Sequence, residues 1–200
     1  ATPIVLGERV YLHGYNSPLN ELGNQIELAP FAEAVAKLDT SKDGRIGAAE
    51  LPDERVRNYF EYFDLVPDGT LDAGEWEGLR VSLSALNSAQ CIRLGGRGDV
   101  SATNVLWRQH RGAPQLPSPL VYGGVYWMLA DQGGLLTQLD PESGAALGKE
   151  RLEHGVDAYY AAPVAADGKV YLLSQSGMLS VVAAQKGLKE LHTAQFGEPC

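Results

Sequence analysis

The chain has 200 residues, 44% of them hydrophobic, with 25 acidic and 16 basic side chains and a net charge of −9. That length allows one or two domains, and the composition is ordinary for a globular protein. No basic stripe is present to release counterions from a nucleic acid, which excludes that class of partner. The longest apolar run, around Leu120 to Ala130, is too short and too interrupted by glycine to form a transmembrane segment. Cys91 and Cys200 make neither a disulfide framework nor a zinc site, and both are expected as free thiols. The chain opens at Ala1 with neither Met nor a signal sequence, as expected of a processed product or a fragment.

Taken in chain order, residues 2–14 (TPIVLGERVYLHG) predict two strands around a tight turn at Gly7, with Val10 and Tyr11 in the second strand. The character then changes. Residues 18–88 hold 14 acids and 6 bases, whereas the rest of the chain holds 11 acids and 10 bases. Nearly all of the excess negative charge therefore lies in one segment, where cations would neutralise it.

Within that segment, residues 39–50 read Asp-Thr-Ser-Lys-Asp-Gly-Arg-Ile-Gly-Ala-Ala-Glu. Oxygen side chains fall at loop positions 1 (Asp39), 3 (Ser41) and 5 (Asp43), and Gly44 at position 6 permits a sharp turn. Arg45 at position 7 offers its backbone carbonyl, and Glu50 at position 12 closes the loop with two carboxylate oxygens. This is the spacing of an EF-hand calcium loop, which gathers many oxygens around a hard cation from one short turn. A second loop starts 25 positions later, with Asp64, Asp68, Thr70, Asp72 and Glu75 at positions 1, 5, 7, 9 and 12. Its position 3 is Val66, which has no side-chain oxygen, and Pro67 stiffens the same turn. Both a second calcium site and a structural mate for the first loop are open readings. Ile46 and Leu71, at position 8 of each loop, are suited to pair the loops as a miniature sheet.

Phe31, Val35 and Leu38 recur at helical spacing before the first loop, Val56, Phe60 and Phe63 between the loops, and Trp76, Leu79 and Leu83 after the second. Pro52 is placed to break the connecting helix. Both methionines, Met128 and Met178, lie outside this segment, so no Met-rich target groove is present. A buffering or structural site is expected rather than a calcium-triggered switch.

Beyond residue 88 the pattern of residues 2–14 returns, as SPLVYGGVYWMLA at 118–130 and APVAADGKVYLLS at 162–174. Val125-Tyr126 and Val170-Tyr171 match Val10-Tyr11 in this reading. A further strand follows each copy, with Gly134 and Gly144 matching Gly177 and Gly187. Pro119 and Pro163 are 44 positions apart, a repeat length suited to a four-stranded propeller blade, whereas Pro3 and Pro119 are 116 apart. The excess of 72 is close to the length of the acidic segment. One blade is therefore expected to carry that segment as an insertion, with CIRLGG at 91–96 and VLWRQ at 105–109 completing its strands. The insertion would occupy the hairpin that ADQGG closes in the next copy, a place that tolerates insertion when the ends of the insert lie close.

The Pro-x-x-x-x-Gly-x-Val-Tyr strands, Leu139 to Gly144 and Val105-Leu106-Trp107 resemble the PQQ-binding-like β-propeller repeat family. That family includes quinoprotein dehydrogenases and the outer-membrane assembly lipoprotein BamB. The resemblance covers about 125 residues and implies a mainly β fold: a partial propeller of four-stranded PQQ-like blades with an inserted α-helical EF-hand pair. The implied division is 1–17 for the first strands, 18–88 for the insert and 89–200 for the remaining blades. It also implies a secreted or periplasmic location. One departure is that the Trp of the next blade is replaced around Glu150-Arg151. Two to three blades are fewer than the four to eight that close a propeller, so the expected partners are proteins or other propeller blades.

No cofactor pocket, catalytic Asp or quinone-adjacent calcium can be placed, so PQQ is not expected in this fragment. His13, His110, His154 and His192 are scattered singly, without metal-ligand spacing. The expected function is a calcium-binding, non-enzymatic binding or scaffold module. A fragment of a quinoprotein oxidoreductase and a calcium sensor gating a partner site are the alternatives.

Overall fold

Short apolar strands separated by glycine turns build three four-stranded antiparallel sheets. The structure, a computed structural model, describes residues 1–199, so the expected thiol at Cys200 lies outside the described residues. Its strands, in chain order, are β1 (Ile4–Leu6), β2 (Arg9–Gly14), β3 (Ile46–Gly47), β4 (Thr70–Leu71), β5 (Ser88–Arg93), β6 (Val105–Gln109) and β7 (Leu120–Tyr122). They continue with β8 (Val125–Leu129), β9 (Leu135–Leu139), β10 (Ala146–Arg151), β11 (Val164–Ala166), β12 (Lys169–Leu173), β13 (Met178–Ala183) and β14 (Glu190–Gln195).

The first sheet has the order β1-β2-β5-β6, the second β7-β8-β9-β10 and the third β11-β12-β13-β14, while β3 and β4 form a separate ribbon. Each large sheet is the four-stranded unit implied by the repeat, and the three do not close into a barrel. In the first sheet β2 pairs directly with β5, Gly14 opposite Ser88, so the acidic segment interrupts this hairpin. Two compact units result: residues 1–15 with the chain from Asn87 onward, and Asn16–Leu86.

Register corrects one detail of the sequence reading. The hairpin pairs Ile4–Tyr11, Leu120–Trp127 and Val164–Tyr171 are equivalent. Tyr126 therefore stands where Val10 and Val170 stand, and Trp127 where Tyr11 and Tyr171 stand. The Val125-Tyr126 pair is out of frame by one residue. Because side chains alternate, that shift reverses the face each residue presents. Tyr126 packs with Tyr11 and Trp107 of the first sheet, at ring-centroid distances of 6.2 and 5.7 Å. Trp127 joins Val170, Leu172 and Val182 of the third sheet in another buried cluster.

The junctions between sheets use two chemistries. Trp107, on β6, donates its indole N–H to the Pro141 carbonyl at 3.0 Å. Its ring fills the space over Gly144, where a Cβ would lie 2.6 Å from the indole. Gly144 also has φ +71°, a conformation costly for residues with a Cβ. At the second junction the residue equivalent to Trp107 is Gly148, paired opposite Gln138, rather than Glu150 or Arg151. Gln138 is 2% exposed. Its Nε2 donates to the Gln185 carbonyl at 2.9 Å, and its Oε1 accepts from the Gly187 N–H at 2.8 Å. The side chain lost from the outer strand is compensated by a longer polar one on its neighbour.

The Asn16–Leu86 unit contains α1 (Phe31–Leu38), a 3-10 turn (Ala48–Glu50), α2 (Glu54–Arg57), α3 (Phe60–Phe63) and α4 (Ala73–Ser84). The predicted apolar positions form its core: Val56, Phe60, Trp76, Leu79 and Leu83 are buried, and Phe31, Val35, Leu38 and Phe63 pack against them. The connecting segment is broken, as Pro52 predicts, and Asp53 caps α2 by accepting from the Arg55 N–H. The two ends of the unit are tied together. Asn20, fully buried, donates from Nδ2 to the Ser82 and Ala85 carbonyls at 2.6 and 2.9 Å, and its Oδ1 accepts from the Ser17 hydroxyl. Those carbonyls lie at the end of α4, where no intrahelical donor remains.

Candidate metal centre

The first acidic loop runs from the end of α1 into the 3-10 turn, and the second runs from α3 into α4. Both turn at position 6, where Gly44 and Gly69 have φ of +77° and +81°. At position 8, Ile46 pairs with Leu71 in the β3–β4 ribbon, as the sequence predicts, and both side chains are wholly buried. The ribbon fixes the two loops back to back.

Most of their internal hydrogen bonds correspond; they part at position 4, where the Lys42 N–H donates to Asp39 Oδ1 but Pro67 has none, and the Asp68 N–H donates to Asp64 Oδ1 instead. At position 1, Asp39 and Asp64 each accept the position-6 N–H on Oδ2, at 2.9 and 3.0 Å. At position 5, Asp43 and Asp68 each accept the position-7 N–H, at 2.8 and 2.9 Å. At position 12, Glu50 Oε1 accepts the Thr40 and Ser41 N–H groups, and Glu75 Oε1 accepts those of Leu65 and Val66. The second oxygen of each glutamate accepts the position-9 N–H, from Gly47 or Asp72, at 2.8 and 2.9 Å. Asp72 also accepts the Gly74 and Glu75 N–H groups, which starts α4 with a capping box.

These bonds leave an electrostatic signature. The Gly47 and Ser41 amides draw the Glu50 carboxyl down to about 2. Desolvation of Asp39 acts the other way, but the Gly44 and Lys42 amides outweigh it and hold that carboxyl below the usual range. Asp68 is also lowered, chiefly by the Thr70 hydroxyl and amide, with a smaller pull from Arg45.

The donor sets differ where the skeletons agree. The first loop offers only oxygen: the side chains of Asp39, Ser41, Asp43 and Glu50, and the Arg45 carbonyl. The Arg45 guanidinium leaves that loop and meets the second, 2.8 Å from Asp68 Oδ2 and 3.3 Å from Thr70 Oγ1. The chemistry of the first donor set thus fits a hard, oxygen-loving cation. In the second loop Val66 is 64% exposed and brings no donor. Both oxygens of Asp68 are engaged, one by Thr70 and the other by Arg45. The second set thus lacks a position-3 oxygen and carries a cation on its position-5 carboxylate. Among the described residues, no three His, Cys, Asp or Glu side chains are gathered at metal-site spacing.

The sequence gives Arg45 a role through its carbonyl, and the structure adds the contact of its side chain with Asp68. The signal for it was present: pairing at position 8 sets each position 7 beside the other loop. A small apolar cavity of about 130 Å³ lies against Leu38, Leu51, Val56 and Trp76. It is well below the roughly 300 Å³ at which small-molecule sites begin.

Neither the protein-family models nor the curated proteins give a match to this chain. Solved structures similar to it include a europium-containing methanol dehydrogenase, at 14% identity over 54% of this chain and 21% of that one, with a TM-score of 0.42. BamB from Moraxella catarrhalis is 19% identical over 54% of this chain and 33% of its own, with a TM-score of 0.38. The quinohemoprotein alcohol dehydrogenase ADHIIG from Pseudomonas putida HK5 is 17% identical over 52% and 17%, with a TM-score of 0.39. The chain spans a third or less of the length of these proteins.

Proposed function

We propose that this chain is a calcium-binding, non-enzymatic segment of a secreted or periplasmic β-propeller, a binding or scaffold module whose EF-hand insert is stabilised by calcium in its first loop. The observation that carries this reading is the all-oxygen donor set of Asp39, Ser41, Asp43, Glu50 and the Arg45 carbonyl, held on a turn hinged at Gly44. Calcium bound there would supply the positive charge that lets three carboxylates share one turn.

The chain's own residues do the rest. Gly44 sets the turn, Glu50 joins the loop's start to its end, and Ile46 fixes the loop to its mate through Leu71. A ligand bound only by the folded unit adds RT ln(1 + [L]/Kd) to stability, about 2.7 kcal/mol at a hundred times Kd.

The scaffold part of the reading rests on the sheets. The third sheet presents Tyr171, Leu173 and Leu179, none fully buried, on the face equivalent to that of Trp127, Leu129 and Leu136. In the second sheet that face is covered by its neighbour. An uncovered counterpart supports a protein partner or further blades as its occupant.

Calorimetric titration of the full chain with calcium tests the function. A saturable event is expected in the wild type, weakened at least about a hundredfold in Glu50→Gln by loss of the closing carboxylate. An absence of calcium-dependent heat in the folded wild type would refute it.

A further inference from the structure

We propose that the Arg45 guanidinium is the resident cation of the second loop, so that the helical pair holds one calcium ion rather than two. The inference rests on the calcium reading of the first loop and deepens it by fixing the stoichiometry and naming the residue that sets it.

Three features carry it. First, the second loop has lost a ligand at Val66 while keeping four carboxylates, Asp64, Asp68, Asp72 and Glu75. Its bonds at positions 6, 7, 9 and 12 match those of the first loop, while the backbone differs at position 4, where Lys42 has φ +64° and Pro67 cannot adopt it. Second, the position-5 carboxylate is already paired, with Arg45 Nη1 2.8 Å from Asp68 Oδ2. Third, the pair is positioned by more than its own attraction. Arg45 precedes Ile46 on the β3–β4 ribbon, Thr70 Oγ1 lies 3.3 Å from the same Nη1, and Thr70 binds the opposite oxygen of Asp68.

An exposed ion pair by itself contributes little to stability. Here its effect is one of exclusion, because a divalent ion entering beside Asp68 would meet a fixed positive charge. Arg45 thus faces both loops, with its carbonyl in the donor set of the first and its guanidinium on a carboxylate of the second.

Calorimetric calcium titrations of the full chain separate this role from the simple loss of a ligand. The wild type is expected to bind one ion, lost in Glu50→Gln and kept in Asp64→Asn, which spares the buried Glu75. Val66→Asp restores the missing ligand with Arg45 still present. Val66→Asp/Arg45→Gln restores it with the guanidinium gone, and its second ion is expected to bind at least about tenfold more tightly than in Val66→Asp alone.

Two ions in the wild type, or equal second-site affinity in the two variants, would overturn the proposal. Should no variant bind calcium, the reading of the first loop falls, and the Arg45 contact is decided by nuclear magnetic resonance. Slowed exchange of the Arg45 guanidinium protons, released in Asp68→Asn, would retain its cation role. Exchange at the rate of a free side chain would end it.

Discussion

At the junction of the first and second sheets an indole, Trp107, donates to the Pro141 carbonyl, and at the next junction an amide, Gln138, donates to Gln185. In the helical unit the copies differ at loop position 3, where Ser41 is answered by Val66. In the sheets, the hydrogen bond outlives the side chain that made it: Gly148 replaces the Trp, and Gln138 makes an equivalent contact from the adjacent strand. In the loops most of the backbone hydrogen bonds persist although Val66 brings no oxygen. A repeat can thus preserve a contact by different chemistry, or preserve a shape while its chemistry diverges.

His13 belongs with the uncompensated changes. It stands where Leu129 and Leu173 stand in the other sheets, 4% exposed, and neither ring nitrogen has a hydrogen-bond partner.

The largest effect expected from breaking this comparison is at Trp107. Trp107→Ala should cost about 3–5 kcal/mol in urea denaturation, since it removes both the indole bond and the packing over Gly144. A loss below about 1 kcal/mol would show that the junction does not depend on it.

The next effect is pH-dependent. Burial holds His13 down to about 4, below the usual 6.5. The unfolded chain therefore binds the proton more readily between these values. This contribution to stability is complete above about pH 6.5, is lost as pH falls towards 4, and is constant below that. His13→Leu should remove that limb and gain about 2 kcal/mol over wild type at pH 5 relative to pH 7. Parallel stability–pH curves for the two proteins would contradict the assignment.

Gln138→Ala should have the smallest effect, about 1–2 kcal/mol, by leaving the Gln185 carbonyl and Gly187 N–H without partners. If it proved as costly as Trp107→Ala, the two junctions would be equivalent in energy as well as in chemistry.

Much of this arrangement is legible in the sequence, for identifiable reasons. The three sheets follow from glycine turns and a 44-position repeat, and the interrupted hairpin follows from the 72-position excess. The Ile46–Leu71 pairing follows from loop spacing. The frame of Val125-Tyr126 does not, because β8 is buried at every residue and has no polar alternation to mark its faces. The substitution of Gln138 for a Trp is likewise hidden, since it moves the contact to another strand. Arg45 was visible as a residue, but its direction depends on the ribbon that joins the loops.

Amide hydrogen exchange, with and without calcium, tests the central claim most directly. The account predicts slower exchange across α1, both loops and α4 when calcium is added to the wild type, and no such slowing in Glu50→Gln. Unchanged exchange in the wild type, or full slowing retained in Glu50→Gln, would contradict a calcium site in the first loop.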